Sequence, residues 1–237
     1  MGRTEKHEGV TTFEEMAEVV GRLGIVPLAS LIPEHPSVNG LTLAENWHTD
    51  TELDPWGWRV RFPGEGLAGY GKFIKKKAVL VSRGWLPAYL AAAGPQRSLE
   101  ERYESGLATR EALTLLQIIR AKEGIETRQL RSMADQLRSM ADMKAKEKKT
   151  AFDNAVTELQ GSMDIVISGV KQRLNADGEP NGWNSTSFET AGHWMKEAGI
   201  QPFEGTREEA VAWLRSGMDG SWAPEAIAWI SKVHGWK

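Results

Sequence analysis

The sequence predicts an α+β fold: an N-terminal helix with a small antiparallel sheet, then three helices and a hairpin, then further C-terminal helices. Three observations carry that expectation. Apolar residues recur at helical spacing from Phe13 to Leu23 and again from Leu113 onward. Between Trp58 and Trp85 the period shortens to two, punctuated by Pro63-Gly64-Glu65-Gly66 and by Lys75-Lys76-Lys77. Late in the chain, a run rich in turn residues (175–182) separates two β-prone segments. A chain of 237 residues, 41% apolar and 26% charged, allows one large domain or two small ones, and either could bury a proper core.

Taken in order, Thr11 or Thr12 caps a helix reaching Arg22, with Glu14 and Glu15 at the positive end of its dipole and Gly24 to end it. Pro27 to Gly40 reads as loop, and Leu41 to Trp47 as a short helix capped by Thr42. Trp58, Val60 and Phe62 alternate with Arg59 and Arg61, which predicts a strand. Two more follow, through Tyr70 and Phe73 and through Ala78 to Val81, making a three-stranded meander. The triple lysine reads as a solvated hairpin tip. Leu86 to Ala93 is a short helix stopped by Gly94-Pro95, and Gln96 to Gly106 a charged connector.

Thr109 opens the next helix, which ends at Gly124, and Thr127 caps another. Within that second helix QLRSMAD occupies 129–135 and returns unchanged at 136–142. Seven residues are almost two helical turns, so the duplication extends a stripe of Leu130, Met133, Leu137 and Met140. Lys144 to Lys149 reads as a polar turn. A third helix then runs from Thr150 to Gln160, with Phe152, Ala155, Val156 and Leu159 inward. Candidate strands at 163–170 and 183–188 complete three helices plus a hairpin, the order of a winged helix. Helices at 189–198, 206–216 and 224–233 follow. The expected division is residues 1–105, a winged-helix domain at 106–195, and a helical extension at 196–237.

Charge and absences bound the function. The net charge is −3, but between Arg120 and Lys149 nine Lys/Arg face five Asp/Glu, a basic segment in an otherwise acidic chain. In a winged helix the third helix enters the major groove and the hairpin loop touches backbone. Lys144, Lys146, Lys148, Lys149, Thr150 and Asn154 are therefore the expected DNA contacts at the helix start, with Lys171, Arg173 and Asn181 from the wing. Lysines suit phosphate, and Asn154 suits an adenine edge. With no cysteine, disulfides and thiolate metal sites are excluded. The five histidines lack metal-ligand spacing, and no phosphate-binding loop, GxSxG or HExxH occurs, so no metal and no cofactor is expected. No run of 18 apolar residues and no secretory h-region appear, which points to a cytoplasmic protein away from membranes.

A second concentration is WHTDTELDPWGWR, Trp47 to Arg59. Asp50 and Asp54 suit general acid and base work with His48 assisting. Trp47, Trp56 and Trp58 suit stacking on a ring, and Arg83 and Trp85 join them in a candidate pocket for a small or nucleobase-like ligand. The same residues equally suit structure, since Asp-Pro opens turns and tryptophans anchor small domains. An interaction module, the winged helix binding protein, is a third alternative.

FEEM at 13–16, the DPWGWR run at 54–59, AGYGKFI at 68–74, SRGW at 82–85 and DIVIS at 164–168 together resemble the AlkZ-related proteins. These are small bacterial relatives of the AlkZ family of winged-helix DNA glycosylases. The resemblance spans roughly residues 11–195 and implies a winged-helix fold and a task near damaged DNA. The glycosylases proper use two glutamines flanking one aliphatic residue. This sequence has no Gln-x-Gln, so that motif finds no positions here.

Overall fold

The computed structural model describes residues 9–138, 145–171 and 184–236; of residues 138 and 145–148 it describes the backbone alone. Helix α1 (Phe13–Leu23) begins with a capping box. The Thr12 hydroxyl accepts the Glu15 N–H, and the Glu15 carboxylate accepts the Thr12 N–H in return. Phe13, Met16, Val20 and Leu23 are buried, and Gly24 ends the helix at φ 77°. Strand β1 (Ile25–Pro27) follows at once. A short helix α2 (Val38–Leu41), capped by Ser37, and a single 3-10 turn (Ala44–Asn46) replace the expected helix at Leu41 to Trp47.

The segment expected as a first strand is instead helix α3 (Pro55–Gly64). Asp54 caps it and Pro55 occupies its first turn, where a missing N–H costs nothing. Trp58 and Phe62 are four apart as well as two plus two. As a helical pair both turn inward onto Phe13, with ring centroids 6.4 and 4.8 Å away. The cap and proline decide an apolar pattern that alternation alone left ambiguous.

Strands β2 (Ala68–Ile74) and β3 (Lys77–Ser82) form the predicted hairpin, and the third strand is β1, giving the order β1-β3-β2, all antiparallel. Tyr70 faces Leu80 and Ile25 faces Val81 across this sheet. Helix α4 (Leu86–Ala93) stops at Gly94, as expected. The charged connector holds a helix of its own, α5 (Leu99–Glu104), because Ser98 and Glu101 form another capping box.

Helix α6 (Arg110–Ala121), strand β4 (Ile125–Glu126), helix α7 (Thr127–Arg138) and helix α8 (Ala145–Gly161) come next, then strands β5 (Ile165–Lys171) and β6 (Ser185–Thr190). Their sheet runs β4-β6-β5, antiparallel throughout. α8 is already helical at Ala145, so the expected polar turn at Lys144 to Lys149 is corrected over 145–149, residues with good helix propensity. In α7, Leu130 is buried and Met133 partly so, but Leu137 is 65% exposed. Among the described residues the stripe therefore reaches the core in its first copy and not at Leu137; Met140 lies outside the described residues. The turn-rich run at 175–182 lies outside them too.

Helices α9 (Ala191–Glu197), α10 (Arg207–Met218) and α11 (Pro224–His234) close the chain. They fold back over the N-terminal half. α10 packs on α4, the Trp222 indole N–H donates to Leu23 O at 2.9 Å, and that of Trp236 to Ala92 O at 3.2 Å. The second sheet and α8 also meet the first half, through β5 on α3 and β2 and through α8 on β2. One apolar core runs through both halves. Among the described residues no helix is long and apolar enough to cross a membrane.

Candidate nucleic-acid interface

Helix α8 has two halves with different surroundings. On one side Phe152, Ala155, Val156 and Leu159 are buried, so the apolar period fixes which face looks outward. In the leading half that outward face carries Lys149, Thr150, Asp153 and Asn154, all exposed. α7 lies beside it. Arg131 reaches Asp153 at 2.8 Å while its guanidinium rests 4.1 Å over the Phe152 ring. Arg128, Arg131, Ser132, Asp135 and Gln136 line a shallow depression of about 530 Å³ along α7.

The trailing half is locked instead. Gln160 is 2% exposed; its Oε1 accepts the Lys72 N–H at 3.1 Å, and its Nε2 donates to Val156 O. Glu158 accepts the N–H and hydroxyl of Thr109. Just past the helix, Asp164 accepts from Arg102 at 2.6 and 2.7 Å and from the Ser162 hydroxyl, with both ionic side chains largely buried.

Of the residues expected at the interface, Lys149, Thr150 and Asn154 share that exposed face, and Lys171 is exposed at the end of β5. Lys146 and Lys148 lie on the backbone of α8, their side chains outside the description; Lys144, Arg173 and Asn181 lie outside the described residues. Arg128 and Arg131 belong to the same surface and were not singled out. The charge count around them was the available signal, but only the contacts of Arg131 with Asp153 and Phe152, and the depression it shares with Arg128, select these two.

The tryptophan-rich motif resolves into a loop wrapped around one carboxylate. Asp54, 4% exposed, accepts backbone N–H groups from His48 (3.0 Å), Asp50 (3.1 Å) and Trp56 (2.9 Å). Burial pushes its carboxyl up, but the three N–H donors together outweigh that and hold it below the ordinary carboxylate value. His48 and Asp50 take positive φ, 62° and 57°, to aim those donors inward. The Trp58 indole donates to Glu52 O at 2.7 Å and that of Trp47 to the Thr42 hydroxyl at 2.9 Å. Trp56 is 42% exposed, with the Arg59 guanidinium 3.7 Å from its ring and His48 at 5.1 Å.

Arg83 and Trp85 have other neighbours. Arg83 donates to Ala198 O at 3.3 Å. Trp85 is buried between Trp213 and Trp222, in the space that a Cβ on Gly24 or Gly217 would fill. A cleft lies elsewhere, between α3 and the second sheet. Two adjoining depressions of about 580 and 510 Å³ share Gly64, Ser168 and Glu189, with His193 3.7 Å from Glu189. No local signal announces it, because it forms only where β5 meets α3.

The geometry defines an α+β protein of two small antiparallel sheets whose second half carries a helix–strand–helix–helix–hairpin unit with an exposed, partly basic helix face. The chain belongs to the AlkZ-related family, whose model matches residues 10–235. No curated protein and no solved structure matches it.

Proposed function

We propose that this protein binds DNA through a winged helix built from α6 to β6, in a role connected with DNA damage. The observation that carries the reading is the split character of α8. Its leading half turns Lys149, Thr150 and Asn154 to solvent beside Arg131 of α7, while its trailing half is anchored. The antiparallel pair β5–β6 directly after α8 supports the same reading, since three helices followed by two paired strands is the element order of a winged helix. In this role Lys149 and its neighbours neutralise phosphates, Asn154 faces base edges, and Lys171 leads into the wing. The connection with damage rests on the family alone. The chain has no Gln-x-Gln, and base excision forms no part of the proposal. In the same reading the tryptophan-rich motif is scaffold, because the carboxylate of Asp54 already holds three backbone donors.

The test is the salt dependence of binding to a labelled 25-base-pair duplex. Each phosphate contact contributes about 0.9 to the slope of log K against log salt, so Lys148→Gln with Lys149→Gln lowers the slope by roughly 1.8. Wild-type binding with an unchanged slope in that variant removes α8 from the interface. No salt-sensitive binding at all, with capture of one specific protein partner, replaces DNA binding by an interaction module.

A further inference from the structure

The β2–β3 hairpin turns at Lys75 and Lys76 between the paired residues Ile74 and Lys77. Both loop residues sit in the left-handed region, at φ 46° and 60°. A two-residue turn of this kind ordinarily selects Asn-Gly, because side chains with a full Cβ are strained there. Here the turn holds lysines, and Lys77 adds a third positive charge. Backbone strain and mutual repulsion both disfavour this sequence. All three are exposed, as is Lys72 on the same hairpin, and among the described residues no carboxylate lies within ion-pair distance of any of them. The Lys75 ammonium lies 4.9 Å from the centre of the Trp229 ring, a neutral partner that brings no opposite charge.

The hairpin is also tied to α8, because the backbone of Lys72 is held by Gln160. From Lys149 to Gln160 is roughly 16 Å along the helix axis, and from Lys72 to the turn about 10 Å of strand. One turn of B-DNA measures about 34 Å, so the separation of the two places is within the length of one duplex turn.

We propose that the lysine turn at residues 75–77 is a second phosphate-backbone contact for nucleic acid. The inference rests on the DNA-binding reading for the identity of the polyanion. Strain kept in a turn that glycine would relieve is what a binding role explains and a solvated tip does not.

The experiment compares three proteins on a labelled 25-base-pair duplex from 50 to 300 mM KCl: wild type, Lys75→Asn/Lys76→Gly/Lys77→Gln, and Lys148→Gln/Lys149→Gln. The turn variant is expected to bind at least about fivefold more weakly at 100 mM salt, with the slope lower by roughly 2 to 3. Its thermal midpoint is expected to rise by about 2–4 °C as the strain is relieved, which separates lost binding from lost folding. An unchanged affinity and slope in the turn variant overturns the inference, and if the α8 variant still weakens, the DNA-binding reading stands without it. Weakening only in the turn variant upholds the inference and removes α8 from the interface. A wild type that binds no duplex ends both. If wild type instead binds phosphatidylserine vesicles and the turn variant does not, while their duplex affinities are equal, the partner is a membrane surface and the proposal fails.

Discussion

Gln160 accepts the backbone N–H of Lys72 at 3.1 Å, and this one hydrogen bond ties the last turn of α8 to the N-terminal sheet. Gln160 is 2% exposed and the bond is part-buried, so water replaces the lost acceptor only incompletely. Gln160→Ala would leave the Lys72 N–H without its acceptor and open space beside it. The expected cost is about 2–3 kcal/mol, seen as a lower midpoint in urea unfolding with an unchanged slope. A cost under about 0.5 kcal/mol would mean that the apolar contacts of α8 and β2 hold the two halves together unaided.

Asp54 gathers three backbone donors at one carboxylate, and its stability and pH behaviour follow from that. Asp54→Ala orphans all three and removes the cap of α3, at an expected cost of about 3 kcal/mol; Asp54→Asn keeps one acceptor oxygen and costs less, about 1–2 kcal/mol. The folded carboxyl is depressed below its unfolded value. Its contribution is therefore fully present above about pH 4 and is lost as the pH falls through the folded value. Thermal midpoints of wild type and Asp54→Asn should converge on acidification below pH 4. A gap that stays constant down to pH 2 contradicts this account of the loop.

How far the sequence could be read varies with the range of the forces involved. Helix starts were legible where a cap lies next to an apolar period, as with Thr12 before Phe13 and Thr109 before Ala112. Trp58 to Phe62 was misread because its apolar residues satisfy both periods, and the deciding Asp54-Pro55 pair lies outside the run. The strand at Ile25–Pro27 was missed because three buried residues carry no periodicity, and only pairing with Val79 to Val81 makes them a strand. At α8 the exposure of Lys149, Thr150 and Asn154 was legible from the helical phase of the buried Phe152 and Val156. The enclosure of Trp85 was not, since it depends on Trp213 of α10 and on Trp222 just beyond it, more than a hundred residues later in the chain.

A third prediction concerns the C-terminus. His234 is largely buried, stacks on Trp236 at 4.9 Å and lies 2.9 Å from the Tyr89 hydroxyl. Burial, reinforced by the positive charge of Arg207, pushes its imidazole down to about 4 from an ordinary 6.5. The unfolded chain takes up that proton more readily than the folded one. Stability is then complete above about pH 6.5 and declines as the pH drops toward 4, by a total on the order of 2–3 kcal/mol. His234→Phe should flatten the stability profile between pH 6.5 and 4. A variant with the same slope as wild type would assign the acid sensitivity to another group.

The interface proposed for α8 contains one residue whose charge opposes it. Asp153 stands on the exposed face between Thr150 and Asn154 and holds Arg131 in an ion pair at 2.8 Å. The pair is largely solvent-exposed on the Asp153 side, so it adds little to stability, about 0–1 kcal/mol. Toward a phosphate backbone the same carboxylate is repulsive, and it withholds the guanidinium. Asp153→Asn keeps the size of the side chain, removes the negative charge and releases Arg131. If α8 reads DNA, this variant should bind a duplex about three- to tenfold more tightly at 100 mM salt, with a slope steeper by roughly 0.9 as Arg131 gains a phosphate. Equal affinity would put the duplex out of reach of this face. Weaker binding would mean that Asp153 itself accepts from a base, a cytosine amino group being the fitting donor.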